Sequence, residues 1–317
     1  MEKLTKQKYN AYIEHYAKSM KLEKTGDLTI FDTDLQYEIN LLEQLRNNSL
    51  LGLINIVRPM NHQGESLGIQ LPMPSTTNTD NADREPTKGY ITPPQTFYCQ
   101  PMHIDTCISY TKLDVLRDYL TEEFNQHFDN LLNKNIINSL LLAGFNGEKR
   151  AITSDSNQNK FAQDVAVGWL QKIRQQGASQ VINATSQSFN NLTAVINAGL
   201  DKIERPRQLS GDYVAICGRN VLPDFPVNNA LSTTTYKIYD KQQGGVTLMN
   251  APYFPENSVL ITQLDNLSIY IKSGSIRRFI EDNPSKNRLE NYFELELDYL
   301  VEDYRSVALI ENITLNH

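Results

Sequence analysis

The stretch RPMNHQGESLGIQLPMPSTTNTDNADREPTKGYITPPQ (58–95) decides how the rest of the chain is read. It carries Pro59, Pro72, Pro74, Pro86, Pro93 and Pro94, interleaved with Gly64, Gly68 and Gly89. Its centre, STTNTDNADREPTKG (75–89), has no aliphatic side chain larger than alanine. Proline removes a backbone donor and glycine loosens the chain, so neither helix nor long strand propagates there. An irregular loop this long is uncommon inside a compact domain and is usually functional or disordered. Its flanks, Ser66–Leu71 and Phe97–Tyr110, alternate in polarity and read as strands. Together they predict an extended β-hairpin arm over 61–110. Such an arm has too little apolar surface to offset its own ordering entropy. The sequence therefore expects it to lie on a partner.

Immediately after the arm comes a long amphipathic stripe. Leu113, Leu116, Leu120, Phe124, Phe128, Leu131 and Leu132 step by three or four, continued by Ile136 and Leu140. This predicts one helix over 112–142, stopped by Gly144 and lacking the sustained heptads of a coiled coil. It suits a helix laid across a sheet. Upstream, residues 1–24 read as a short amphipathic helix bearing Leu4, Tyr9, Tyr12, Ile13, Tyr16 and Met20. Thr25-Gly26-Asp27 breaks it, and Leu35, Ile39, Leu42 and Leu45 mark a second helix over 35–51. This leading part is expected to be an appendage outside the core.

Downstream, helix signals at Asp164–Gln175 (with the single tryptophan, Trp169) and Gln187–Ile203 alternate with a short strand, DYVAICG (212–218). The stretch 221–250 has little pattern. From 258 onward the chain reads as strand: SVLITQL, NLSIYIKSG, IRRFIED, FELELDYLVEDY and SVALIENITL. Phe293, Leu295, Leu297 and Tyr299 alternate with Glu294, Glu296 and Asp298, which gives one apolar and one acidic face.

Composition narrows function. The 317 residues carry a formal net charge of −7, which disfavours tight nucleic-acid binding while permitting loose contact with DNA. Cys99, Cys107 and Cys217 form no C-x-x-C pair and read as free, buried thiols. No signal-peptide h-region and no membrane-length apolar run occur. The sequence lacks G-x-G-x-x-G and G-x-S-x-G. GFNGEKR (144–150) has the wrong spacing for a phosphate loop and reads as a helix-ending turn. His15, His62, His103, His127 and His317 are scattered. The acidic group Glu294, Glu296, Asp298, Glu302 and Asp303 reads first as a solvated strand face, with Arg277, Arg278 or Arg288 as its potential partners. These readings predict no catalytic residue, no metal ligands and no cofactor. A hydrolase or transferase with 61–110 as its lid would need a nucleophile beside a histidine, which the sequence does not offer.

Several long strings carry a family resemblance. AGFNGEKRAITSD (143–155), QDVAVGWLQK (163–172), PYFP (252–255), LITQLDNLSIY (260–270), RRFIEDNPSKNRLENY (277–292) and DYLVEDY (298–304), with KYNAY (8–12) at the start, resemble the major capsid proteins of Peduovirus-type (P2-like) tailed phages. The resemblance implies an α+β fold of the Hong Kong 97 type, with arm 1–60, extended hairpin loop 61–110, spine-helix region 111–164, α/β axial domain 165–262 and peripheral strands 263–317. It also implies self-assembly into hexamers and pentamers of an icosahedral shell around double-stranded DNA, which the wall touches non-specifically. The implied partners are an internal scaffold with a maturation protease, and a portal; no membrane is involved. Loss of the first 25–30 residues would follow a cut between Lys24 and Phe31. The site would be the virion capsid, reached through assembly in the host bacterial cytoplasm. A non-viral compartment shell of the same fold is the alternative.

Overall fold

The computed structural model describes the chain except residues 20–28, 33–34, 48–49, 67, 69–73, 87–88, 90–93, 116–120, 187–188, 210, 223–236, 244 and 316–317. Its first part runs α1 (Lys3–Ser19), β1 (Thr29–Asp32), α2 (Leu35–Arg46), β2 (Asn55–Val57), β3 (Gln63–Glu65), β4 (Thr96–Tyr98), β5 (Gln100–His103), β6 (Thr106–Ser109), α3 (Tyr110–Asp114) and α4 (Thr121–Asn146). Then follow α5 (Trp169–Gln176), β7 (Val181–Asn183), α6 (Leu192–Leu200), α7 (Arg205–Gln208), β8 (Val214–Cys217), β9 (Lys237–Gln243) and β10 (Val246–Asn250). The chain closes with β11 (Val259–Thr262), β12 (Leu267–Ile271), β13 (Arg277–Asn283), β14 (Arg288–Val301) and β15 (Val307–Glu311).

Two sheets carry the body. The first has seven strands in the order β1-β13-β14-β12-β2, with β5 and β6 also paired to β14. β14 organises it: the alternation read from sequence holds, with Phe293, Leu295, Leu297 and Tyr299 buried and the intervening carboxylates partly exposed. The apolar face meets Ile136, Leu140 and Leu141 of α4, and Tyr299 Oη donates to the Leu140 carbonyl at 2.8 Å. The second sheet has six strands, β7-β15-β11-β8-β10-β9. One face joins the same core through Ile216, Met249, Leu260 and Leu309; the other packs on Leu192, Val195 and Ile196 of α6. Cover on both faces explains why β11 and β15 are near-continuous apolar runs.

Trp169 sits where α4, α5 and β14 converge. It is fully buried, its indole N–H donates to the Ser268 carbonyl at 2.9 Å, and its ring meets Tyr299 edge-on at 5.0 Å. Gly144 belongs to this junction. A Cβ there would fall 2.4 Å from the Trp169 ring, so glycine permits the close approach. The helix continues to Asn146. Gly144 is therefore a packing residue and not the predicted helix stop, and GFNGEKR turns outward only from Gly147.

Other expectations change as well. Of the predicted stripe, Leu113, Leu132, Ile136 and Leu140 are buried and Leu131 is 44% exposed; 116–120 lies outside the described residues, as do the side chains of Phe124 and Phe128. Leu113 belongs to the separate short helix α3. The predicted helix at Asp164–Gln175 begins at Trp169, because the Asp164 carboxylate accepts from Asp155 N–H (2.7 Å) and Asn159 Nδ2 (3.0 Å) and holds a turn. The helix expected over Gln187–Ile203 is Leu192–Leu200, with Asn191 capping Ala194 N–H. Two strands, β9 and β10, occupy part of the stretch thought patternless. The strand predicted over Phe97–Tyr110 divides into β4, β5 and β6, of which the last two pair with β14 in the body. Within Ser66–Leu71, only Ser66 and Gly68 are described, and neither is in a strand.

The leading segment is no appendage. Leu41, Leu42 and Leu45 of α2 enter the main core, β2 pairs parallel with β12, and α1 packs Tyr9, Tyr12 and Ile13 against the body. Apolar faces with a groove at hand dock instead of projecting. The C-terminal strand β15 lies in the second sheet, between β11 and β7, and does not join the strands of the first. Its apolar residues are buried on both faces there. Cys99 and Cys217 are buried free thiols, whereas Cys107 is exposed.

Candidate functional site

The loop between β3 and β4 is rooted where these two strands pair. These pair antiparallel with Gln63 opposite Tyr98, Gly64 opposite Phe97 and Glu65 opposite Thr96. A Cβ on Gly64 would meet the Phe97 ring at 2.8 Å, so glycine lets that ring fold across its partner strand. Phe97 is 7% exposed and stacks on Tyr270 at 4.7 Å between ring centres. Cys99, Leu300 and Val57 complete a small apolar pad. Backbone bonds continue the pairing at both ends: Cys99 N–H donates to His62 O at 2.8 Å and Ser66 N–H to Gln95 O at 2.7 Å.

Below this pad lies the polar face of β14, and its carboxylates form the seat of the loop. Glu296 meets His62 Nδ1 at 2.9 Å and Lys272 Nζ at 3.2 Å. Asp298 accepts from Tyr98 N–H at 3.0 Å and from Lys172 Nζ at 2.7 Å. Glu302 accepts from Ser66 Oγ, from Ser268 Oγ at 2.6 Å and from Tyr270 Oη at 3.0 Å. The root is tied separately. Arg58 Nη2 donates to the buried Glu38 at 2.5 Å, and Ser273 N–H donates to Pro59 O at 2.9 Å. Burial alone would raise the Glu296 carboxyl, but His62 and Lys272 outweigh it and hold the pKa below the usual range. Burial pushes the Cys99 thiol up to about 12 and the Tyr270 phenol beyond its ordinary value.

Above the seat the surroundings change. Residues 74–86 have no helix or strand, and every one of them is exposed. Their internal bonds are local: Asp80 N–H donates to Asn78 Oδ1 at 3.1 Å, and Asn81 N–H to Asn78 O at 3.2 Å.

The acidic group therefore contributes structure at the loop root. Among the described residues, Arg277, Arg278 and Arg288 are seen in other contacts than an ion pair with this group. Arg278 is buried and donates to Asn291 at 2.8 Å, and Arg288 pairs with Glu290 at 2.6 Å. Arg277 is exposed and stands opposite Glu294 in the register, yet Glu294 meets His103 at 3.8 Å. Asp303 pairs with Arg207 at 2.5 Å and Arg305 at 3.1 Å. Two of the scattered histidines thus bind this face. The window proposed for cutting, Lys24 to Phe31, divides: Thr29–Phe31 lie in β1, paired with β13, while 24–28 lies outside the described residues.

The chain matches the sequence family described as phage major capsid protein, P2 family, over residues 8–313. It is 32% identical to the capsid proteins of Escherichia phage P2, across 99% of this chain and 95% of that relative. Among solved structures it is similar to a chain of the satellite phage P4 procapsid that includes the size determination (Sid) protein. The TM-score there is 0.75 and the identity 32%, covering 100% of this chain and 99% of the other. It also shares a fold with the holo-SrpI encapsulin complex of Synechococcus elongatus PCC 7942. That likeness has a TM-score of 0.50 at 9% identity, over 95% of this chain and 97% of the other.

Proposed function

This chain belongs to the P2 family of phage major capsid proteins, and from that premise we propose that its projecting loop is the element that ties one shell subunit to the next. The family fixes the main facts: a structural subunit with the α+β fold of Hong Kong 97-type capsid proteins, building the virion shell from copies of itself around the phage DNA. The loop reading rests on one observation. A firmly seated root carries a tip, 74–86, whose residues are all exposed.

A shell closes through repeated contacts around rings. Each contact can be weak, because a subunit held at one edge meets its next partner at high effective concentration. In this reading the tip drapes over a neighbour within hexamers and pentamers and becomes ordered there. The second sheet with α6 is read as the axial domain, roughly 165–262 with β15 added. The first sheet with α4 forms the periphery, and 61–98 is the loop proper. The chain has no catalytic chemistry of its own. Its remaining partners are an internal scaffold with a maturation protease, a portal, and DNA touched non-specifically; assembly takes place in the host cytoplasm. The cut, placed between Lys24 and Phe31 by family resemblance, narrows to 24–28. A strand paired to β13 is a poor protease substrate, which argues against a cut within Thr29–Phe31.

The compartment-shell alternative shares only the fold. Deleting 75–89 and expressing the variant with its scaffold tests the loop reading. The expected result is a folded subunit, judged by circular dichroism and thermal melting, that makes no stable shells in negative-stain micrographs. Normal shells from the deletion overturn it.

A further inference from the structure

The leading helix α1 is seated against the body along one face. Thr5, Tyr9, Tyr12 and Ile13 are buried on one face, while Leu4 on the other side is 47% exposed. That spacing is the anchor pattern of a helix lying in a groove. The groove is floored by Leu113 of α3, Leu132 of α4, Ile280 of β13 and Leu289 of β14. At its centre Tyr12 Oη donates to Asp129 Oδ1 at 2.5 Å and accepts from Arg278 Nη2 at 3.4 Å, so a phenol joins a carboxylate to a buried guanidinium. At the helix start Glu2 N–H donates to Asp114 Oδ1 at 3.0 Å. Beyond 20–28 the chain re-enters the fold as β1, held independently by pairing with β13 from Thr29 to Asp32.

We propose that this groove is a binding site for a tyrosine-bearing amphipathic helix, filled in cis by α1, and that the leader stays seated without a covalent link after the chain is cut within 24–28. The proposal rests on the trimmed-leader reading above. It adds that cutting and release are separate events, because the contacts that hold α1 do not depend on the link through 20–28. Most helical stability in proteins comes from packing an amphipathic face, so the groove supplies much of the order. The buried aromatic anchors supply most of the hold.

The test inserts a recognition sequence for a specific protease into 24–28 of the full chain, cuts the unassembled subunit, and follows the leader by gel filtration and native mass spectrometry. The leader is expected to co-migrate with the body at micromolar protein. Tyr12→Phe keeps the ring and removes one charge-assisted bond, and should weaken retention about tenfold. Tyr9→Ala with Tyr12→Ala should release the leader on cutting, with near-ultraviolet dichroism confirming that the body stays folded. A wild-type leader that separates at once overturns the proposal. So does equal retention of wild type, Tyr12→Phe and the double variant, which would place the hold elsewhere. Shell assembly measured in parallel separates the two readings. A leader lost from subunits that still make shells sinks the groove alone, while a retained leader in subunits that never make shells sinks the capsid role assigned to these parts.

Discussion

The root and the tip of the projecting loop are neighbours in sequence and opposites in physics. The root buries Phe97 against Tyr270 and engages two β14 carboxylates, Glu296 and Asp298, together with Glu302 just past the strand. The tip, 74–86, is exposed throughout, and among the described residues its hydrogen bonds are local ones such as Asp80 N–H to Asn78. Fixing one backbone residue costs about 1–2 kcal/mol, and the root meets that cost within the subunit whereas the tip does not. The seated root fixes where the loop emerges, and in the proposed reading a second molecule supplies the tip's order.

This contrast can be broken most forcefully at the tip. Removal of 75–89 should abolish shells while shifting the melting temperature by no more than a few degrees, as expected where little buried surface is lost. The root should behave in the reverse sense. Phe97→Ala should cost about 3–5 kcal/mol in denaturant melts, the usual range for emptying a buried aromatic site. Trp169→Ala, at the junction of α4, α5 and β14, should fall in the same range and serve as the core control. Glu302→Gln removes the charge from an acceptor shared by Ser66, Ser268 and Tyr270, and should cost about 1–3 kcal/mol. At the tip, Thr79→Ala should change stability by less than about 0.5 kcal/mol.

Acid should sharpen the difference further. The Glu296 carboxyl is held low, so its folded pKa lies beneath its unfolded one. Its contribution is full above the unfolded value, near 4.3, and disappears as pH falls through the folded value. The root should thus hold at neutral pH and loosen only in strong acid, read as a rise in hydrogen exchange at 63–65 and 96–98. Glu296→Gln should flatten that response.

Much of this layout could be read from residue order alone. The alternation of Phe293, Leu295, Leu297 and Tyr299 identified β14 and its buried face, because one side of a strand must meet the core. The proline-rich run marked the loop, because backbone restrictions are local. The seat was not legible, because its partners lie far apart in sequence: His62 and Glu296 are separated by 234 residues, and Ser66 and Glu302 by 236. Charge alternation indicated an acidic face but could not name what lay on it. Gly144 misled for a related reason, since a missing side chain beside Trp169 leaves the same sequence mark as a helix stop. The docking of α1 also escaped, because its groove is assembled from Leu113, Leu132, Ile280 and Leu289, which meet only after folding.

Hydrogen exchange compared between free subunits and assembled shells tests the central claim most directly. Amides of 74–86 should exchange freely in the subunit and become protected in the shell, while those of β3 and β4 remain protected in both. Protection of 74–86 already present in the lone subunit, or none gained in the shell, would contradict the account.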